Sequence, residues 1–294
     1  MSVNPHRKGL ILAGGDGTRL HPITHAISKQ LLPIYDKPMI YYSLSVLMLA
    51  GIREILLIST PKNLPLYQEL LGSGSQWGIE ITYQRQSEPR GIPEAFILGE
   101  NYLAHHPSCL ILGDSFFYGT AFSDTLTRLA QPNTPPTILA YPVANPSQFG
   151  ILELDHQHNI VSLQEKPTHP KSKLAIPGLY FFDSQAPTLA KSLHPSPRGE
   201  LEITDLMNLY LETGSLKAEI LGRGSTWLDM GSHDSLLDAA NFVRVLQTRQ
   251  GLHIACLEEI ALQKNWITPA QCAQSVANMG QSTYRQYLES LLTE

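Results

Sequence analysis

Short apolar runs alternate with stretches of helical spacing through the first half of the chain. Gly9–Leu12 reads as a strand. Pro38–Ala50 reads as a helix, with proline in its first turn and Gly51 just past its end. Glu54–Ser59 then predicts a strand, Pro61–Leu71 a helix, Ile79–Gln84 a strand and Glu94–Ala104 a helix. Cys109–Gly113 is apolar throughout, as a strand buried on both faces would be, and Phe122–Ala130 is helical again. Strand and helix repeating in this way predict a mostly parallel sheet covered on both faces. The rhythm then changes. Thr137–Val143, Ile151–Asp155, Ile160–Gln164 and Gly178–Phe182 lie close together with short polar turns between them, which predicts an antiparallel extension and a small β-rich lobe. A helix at Glu202–Glu212 and a strand at Leu216–Leu221 follow. From Ser235 onward the pattern is helical, with breaks at Gly251, Thr268-Pro269 and Gly280. The expected division is an α/β unit over residues 1–250 and a helical region over 251–294, which also offers an assembly surface.

Composition narrows the classes. The 294 residues are 43% hydrophobic and 16% charged, an ordinary globular mix. With 21 Lys+Arg against 26 Asp+Glu the net charge is -5, which argues against nucleic acid as a partner. The apolar stretch Met39–Ala50 is interrupted by Ser43 and Ser45 and is too short for a bilayer, so no membrane partner is expected. Gly9–Ala13 is too short for a secretory leader. Cys109, Cys256 and Cys272 are odd in number and form no C-x-x-C pair, which excludes a disulfide framework or zinc module and points to a reducing cytoplasm. Cys109, inside its apolar strand, is expected to be an inert buried thiol. His105-His106 and His156-x-His158 fall in polar turns and are expected to face solvent.

Candidate chemistry starts in the loop Gly14-Gly15-Asp16-Gly17-Thr18-Arg19-Leu20, directly after the first strand. Glycines there allow a tight turn that presents N–H groups to phosphate oxygens. The loop is neither a P-loop, since no Lys-Ser/Thr pair follows, nor a dinucleotide fingerprint, since Leu20 replaces the third glycine. Arg19 and Lys29 add two cations suited to a triphosphate. Asp114 follows a buried strand at the end where open α/β sheets bind ligands, and Asp229 follows Trp227-Leu228. Mg²⁺ takes one or two carboxylates plus substrate phosphates. Glu165 and Lys166 are neighbours and would face opposite sides of an ideal strand, so they share a pocket only at a strand end or bend, which Pro167 favours. Arg198, between Pro197 and Gly199, is a loop arginine. Each feature has a plainer reading as well: a glycine turn, turn aspartates, a surface ion pair.

Leu12-Ala13-Gly14-Gly15-x-Gly17-Thr18-Arg19-Leu20, followed by Lys29-Gln30-Leu31-Leu32-Pro33-Ile34, resembles the opening of the sugar-phosphate nucleotidylyltransferase family. Tyr35-Asp36-Lys37-Pro38-Met39-Ile40-Tyr41-Tyr42 is similar to its bacterial glucose-1-phosphate thymidylyltransferases. Glu165-Lys166-Pro167, Pro197-Arg198-Gly199-Glu200-Leu201-Glu202-Ile203-Thr204-Asp205 and Trp227-Leu228-Asp229 continue the likeness in order. The resemblance implies a three-layer α/β/α sandwich with a mixed, mostly parallel Rossmann-like sheet. It also implies dTTP and glucose 1-phosphate as substrates, Mg²⁺ as cofactor and a homotetramer. By the same resemblance Gly14, Gly15, Gly17, Thr18, Arg19, Gln86 and Gly91 hold the nucleotide. Ser115, Gly150, Glu165, Lys166 and Arg198 hold the sugar phosphate, Asp114 and Asp229 the metal, and Arg19, Lys29, Lys166 and Asp114 carry catalysis.

Five places depart from the usual pattern. Ser115 stands for asparagine, Phe149 for tyrosine, Pro177 and Met230 for threonines, and Gly91-Ile92-Pro93-Glu94 for Gly-Leu-Ala-Gln. Ser115, Phe149, Pro177 and Met230 are expected to subtract polar partners from the sugar pocket and loosen its grip on glucose, and the Gly91–Glu94 segment to alter the base pocket. Another sugar or nucleotide, or a nucleotide-sugar-binding regulator without turnover, are the competing functions. The family's second nucleotide-sugar site would fall near a Phe117-Tyr118-Gly119 loop and the Cys256–Lys264 helix. Thr120 and Gln263 there replace histidine and arginine, which predicts weak feedback.

Overall fold

The computed structural model describes residues 6–15 and 17–293, so Asp16 of the glycine loop lies outside the described residues. Ten strands form one sheet. From one edge the order is Ile160–Glu165, Gly150–Leu154, Leu174–Ala175, Thr137–Pro142, Leu179–Phe182, Ser108–Leu112, Lys8–Leu12, Glu54–Ser59 and Glu80–Arg85, with Lys217–Ile220 paired to Thr137–Pro142. Lys8–Leu12 runs parallel to both neighbours, Glu54–Ser59 is parallel to Glu80–Arg85, and Lys217–Ile220 is parallel to Thr137–Pro142. Only Leu179–Phe182, Leu174–Ala175 and Ile160–Glu165 run against that direction. The sheet is therefore mixed and mostly parallel. The antiparallel extension continues the parallel half without a break.

Alternation along the central strands makes the three layers. Ile55 and Leu57 point into one apolar cluster with Ile11, Ile111 and the helix Met39–Leu49. Leu56 and Ile58 point into the opposite one with Leu10, Leu110 and the helices Ala186–Lys191 and Ile203–Glu212. A strand buried on both faces needs this continuous apolar sequence. Residues 94–104 form two short helices, Glu94–Leu98 and Glu100–Leu103, rather than one. Gly99 between them carries the poor helix propensity that breaks the segment.

The sequence pattern missed the short strands Pro33–Ile34, Lys37–Pro38 and Leu174–Ala175, and also a longer pair. Ser115–Gly119 and Ser225–Asp229 pair antiparallel as a ribbon, with Ser115 opposite Asp229 and Gly119 opposite Ser225. Phe117-Tyr118-Gly119 is thus strand, not loop. The helix His233–Gln250 covers the ribbon, its Phe242 ring lying 5.7 Å from both Phe116 and Tyr118.

Beyond Gly251 three helices, Leu257–Gln263, Pro269–Ala277 and Thr283–Leu291, pack on the α/β body. Leu257, Ile260, Ala261 and Cys272 join the cluster that holds Leu44, Leu47 and Trp77. Buried Glu258 accepts hydrogen bonds from Trp77 Nε1 at 3.0 Å and from the Tyr284 hydroxyl at 2.5 Å, which ties this region to the body. Among the described residues no helix is long and apolar enough to cross a membrane.

Candidate active site

The carboxyl ends of the parallel strands gather the site. The chain leaves Lys8–Leu12 into the glycine loop, Glu80–Arg85 into Gln86, and Ser108–Leu112 into Asp114. Ala13 is fixed before the loop opens: its N–H donates to the Ile58 carbonyl and its own carbonyl accepts from the Ser59 hydroxyl, both at 2.8 Å. Gly14 has no room for a side chain, because a Cβ would overlap Oε1 of Gln86. Gly17 caps a single 3₁₀ turn, Thr18–Leu20, that exposes Arg19.

Two adjoining cavities lie at this edge. The smaller, about 190 Å³, is walled by Gly14, Gly15, Gln86, Gly91 and Leu201. The larger, about 440 Å³, is walled by Arg19, Asp114, Ser115, Gly150, Trp227 and Asp229. Glu165, Lys166 and Arg198 belong to the walls of both. Of the expected nucleotide residues, Gly14, Gly15, Gln86 and Gly91 line the smaller chamber, whereas Arg19 lines the larger one beside the expected sugar-phosphate residues. Gly17 and Thr18 line neither chamber, and Lys29 reaches the site only through its ion pair with Asp114.

Local geometry explains the shared wall. Glu165 ends its strand, and Lys166 turns at a φ of +41°, a left-handed conformation unusual for a side-chain-bearing residue. That turn brings both side chains to one side, with Lys166 Nζ 3.3 Å from Glu165 Oε1. The expectation that these two residues share a pocket at a strand end holds. Arg198 is gripped by Glu202, which accepts from Nη2 at 2.7 Å and from Nε at 3.1 Å, and Glu165 lies 3.6 Å away. These acidic neighbours, Glu202 first, push the guanidinium further toward its charged form. Glu202 sat unassigned inside the sequence motif, and only its contact with Arg198 shows its part. Gly91 bridges to Leu201, whose N–H donates to the Arg90 carbonyl at 2.7 Å, and so holds the Arg198 loop beside the smaller chamber.

The ribbon places the two aspartates side by side. Asp229 pairs in register with Ser115, and the Met230 N–H donates to the Asp114 carbonyl at 3.2 Å. Burial and the negative charge of Asp114 hold the Asp229 carboxyl above the ordinary range, against the pull of Lys29, Arg19 and Lys166. The two carboxylates, with Lys29 paired to Asp114, are hard oxygen donors of the kind a divalent cation takes alongside phosphate and water. Among the described residues no group of three or more His, Cys, Asp or Glu could hold a metal unaided.

Two of the five departures fall outside the larger chamber. Met230 is fully buried with Ile34, Met39 and Tyr42 beneath the covering helix. Pro177 is buried and lines neither chamber, whereas Ser115 and Phe149 do line the larger one. The expected loss of polar partners therefore reduces to those two residues. Cys109 is fully buried, and burial pushes its thiol up to about 12, as expected of an inert sulfur. A separate cavity of about 280 Å³ lies by Thr120 and Arg223, but its walls include no residue of the Cys256–Lys264 segment.

Residues 8–245 match the family model described as Nucleotidyl transferase. The chain is 53% identical over 285 residues to the glucose-1-phosphate thymidylyltransferase of Neisseria meningitidis serogroup A, covering 97% of this chain and 99% of that one. It is 49% identical, with the same coverage, to the protein of that name from Mycobacterium tuberculosis. Among solved structures it is similar to a Bacillus anthracis glucose-1-phosphate thymidylyltransferase in complex with sucrose. The TM-score is 0.74 at 36% identity, over 81% of this chain and 95% of that one. A UDP-glucose pyrophosphorylase complexed with UDP-glucose, 24% identical, shares the fold with a TM-score of 0.73 over 82% of this chain and 99% of that one. Likeness this extensive, in sequence and in fold, settles descent: the chain belongs to the nucleotidyl transferase family, among its glucose-1-phosphate thymidylyltransferases.

Proposed function

We propose that the protein transfers a thymidylyl group from dTTP to glucose 1-phosphate, giving dTDP-glucose and pyrophosphate. The observation that carries this reading is the pair of chambers with Glu165, Lys166 and Arg198 in the wall between them. A nucleotide in the smaller chamber and a sugar phosphate in the larger one would meet at that partition. The attacking phosphate oxygen then faces the α-phosphorus, and pyrophosphate leaves from the opposite side. No covalent enzyme intermediate is required, so positioning and charge neutralisation supply the catalysis.

Lys166 and Arg198 hold the attacking phosphate, and Glu165 accepts from sugar hydroxyls. Arg19 faces the triphosphate. Lys29 is released from Asp114 as the substrates arrive and turns to the departing pyrophosphate. Gln86 and Gly91 hold the base. Asp114 and Asp229 would hold Mg²⁺, which supplies neutralising charge to the phosphate oxygens. The helical region 251–294 and the exposed Leu237, Val245 and Leu252 support a homotetramer built from copies of this chain. Three unpaired, buried cysteines support residence in the cytoplasm.

The test is pyrophosphate release across a matrix of nucleoside triphosphates and sugar 1-phosphates, with and without Mg²⁺. Turnover should peak with dTTP and glucose 1-phosphate and vanish without the metal. Nucleotide binding with no turnover anywhere in the matrix would instead identify a regulator, and a peak elsewhere would reassign the substrates.

A further inference from the structure

The Lys29 ammonium ion-pairs with Oδ2 of Asp114, and both side chains are largely buried, 11% and 16% exposed. The backbone beneath the lysine is fixed. Lys29–Leu31 forms one 3₁₀ turn, closed by the Leu31 N–H on the Ser28 carbonyl and the Leu32 N–H on the Lys29 carbonyl, both at 3.0 Å. Buried Gln30 locks that turn. Its Oε1 accepts from the Ser28 hydroxyl at 2.7 Å and from the Tyr67 hydroxyl at 3.2 Å. Its Cγ packs on Gly113, where a Cβ would come within 2.9 Å. The stem of Lys29 starts beside the glycine loop, its Cβ 3.3 Å from where a side chain on Gly17 would begin. The turn is therefore rigid and the four-carbon arm is the moving part, with Asp114 on one side and the turn that carries Arg19 on the other.

An ammonium on that carboxylate and a divalent cation beside it compete for the same oxygens. Asp114 and Asp229 carry at most two negative charges between them, and Lys29, Arg19 and Lys166 already act on Asp229. A like charge a few ångströms away costs most where water is scarce. Among the described residues no third His, Cys, Asp or Glu joins the pair to offset that cost. A triphosphate changes both conditions. Its oxygens give the ammonium another partner, and they add to the oxygen ligands that a hard cation needs. We infer that Lys29 is an internal stand-in for the metal: it holds the Asp114 carboxylate against divalent cations that arrive alone, and yields it when a triphosphate draws the ammonium away. Metal binding is thereby conditional on nucleotide. This rests on the reading of Asp114 and Asp229 as the metal's ligands.

The experiment titrates Mn²⁺ alone into the full chain, with no nucleotide, and follows bound metal by electron paramagnetic resonance. Mn²⁺ takes the same hard oxygen ligands as Mg²⁺. Lys29→Met removes the ammonium and keeps most of the stem, and should bind Mn²⁺ at least tenfold more tightly than the unaltered chain. Lys29→Gln, also neutral, should repeat the gain. Lys29→Arg keeps the charge and should stay as weak as the unaltered chain. Adding Asp114→Asn to Lys29→Met should abolish the gain, with circular dichroism checking that each variant is folded. Affinity that is equal in the unaltered chain and both neutral variants, yet lost with Asp114→Asn, overturns the stand-in role and leaves the metal site standing. A gain in Lys29→Arg as large as in Lys29→Met overturns it too, since charge would then be irrelevant. No Mn²⁺ binding in either neutral variant, or binding that survives Asp114→Asn, removes the metal assignment and the inference with it.

Discussion

Replacing Gly91 with alanine should damage the smaller chamber more than its position in a half-buried loop suggests. The residue sits at a φ of +105°, and a Cβ there would come within 2.8 Å of the Leu201 nitrogen and 2.9 Å of its carbonyl carbon. Leu201 cannot retreat freely, because its N–H is held by the Arg90 carbonyl at 2.7 Å. The alanine therefore carries roughly 1–2 kcal/mol of backbone strain. It also loses a hydrogen bond worth roughly 0.5–1.5 kcal/mol, so the total is about 2–3 kcal/mol. For a chain of this size that corresponds to a fall in Tm of roughly 3–5 °C. Gly199→Ala is the control: its φ is +79°, but open space surrounds the new methyl, so only the strain applies and the fall should be roughly half as large. Thermal melts of both variants give the stability, and steady-state assays give the KM values. Gly91→Ala should raise the KM for dTTP severalfold and leave that for glucose 1-phosphate within twofold. Equal melting losses in the two variants, with an unchanged KM for dTTP in Gly91→Ala, would refute the close-approach argument.

Asp114→Asn and Asp229→Asn should each lower kcat by the ~10²–10³ typical of removing one transition-state stabiliser, measured at saturating Mg²⁺; near-normal rates in both would end their assignment to the metal. Ser115→Asn should raise kcat/KM for glucose 1-phosphate with the KM for dTTP unchanged. Lost activity there would mean that the cavity around the buried serine is already repacked. Asp36 bears on acid stability. Burial raises its carboxyl, but hydrogen bonding and charge from His253 and Lys37 outweigh burial and hold it below the ordinary 3.8. A depressed carboxyl contributes stability in full above 3.8 and loses it as pH falls through the folded value. Asp36→Asn should accordingly melt below the unaltered chain at pH 6 and converge with it as pH falls below the ordinary 3.8 and through the folded value, and a constant gap across that range would contradict the assignment.

The central strands were legible because strands buried on both faces leave unbroken apolar runs, as in Glu54–Ser59 and Cys109–Gly113. The glycine loop, the Glu165-Lys166 pair and the two aspartates were picked out by residue type and order, and the choice among their readings came from the family resemblance. The ribbon was not legible. Ser115–Gly119 follows the preceding strand after only Gly113 and Asp114, so the pattern merges with its neighbour, and Ser225–Asp229 is short and half polar. Glu94 was visible only as a departure from a familiar segment, since its hydrogen bond from the Gln86 amide depends on the fold. Met230 misled for a similar reason: adjacency to Asp229 in sequence suggested the pocket, but successive residues alternate in direction and the methionine turns into the core.

The ribbon also sets which changes in chain length the site can absorb. Its five paired positions make the placement of Asp114 and Asp229 a matter of register, and slipping either strand by one residue would invert every side chain on it. Insertions inside the ribbon should be lethal to turnover, whereas the long excursion between its strands has exposed surface turns such as His156–His158. A circular permutant opened at that turn, with the old ends joined by a linker, would keep both aspartates in step although they would enter the new chain in reverse order.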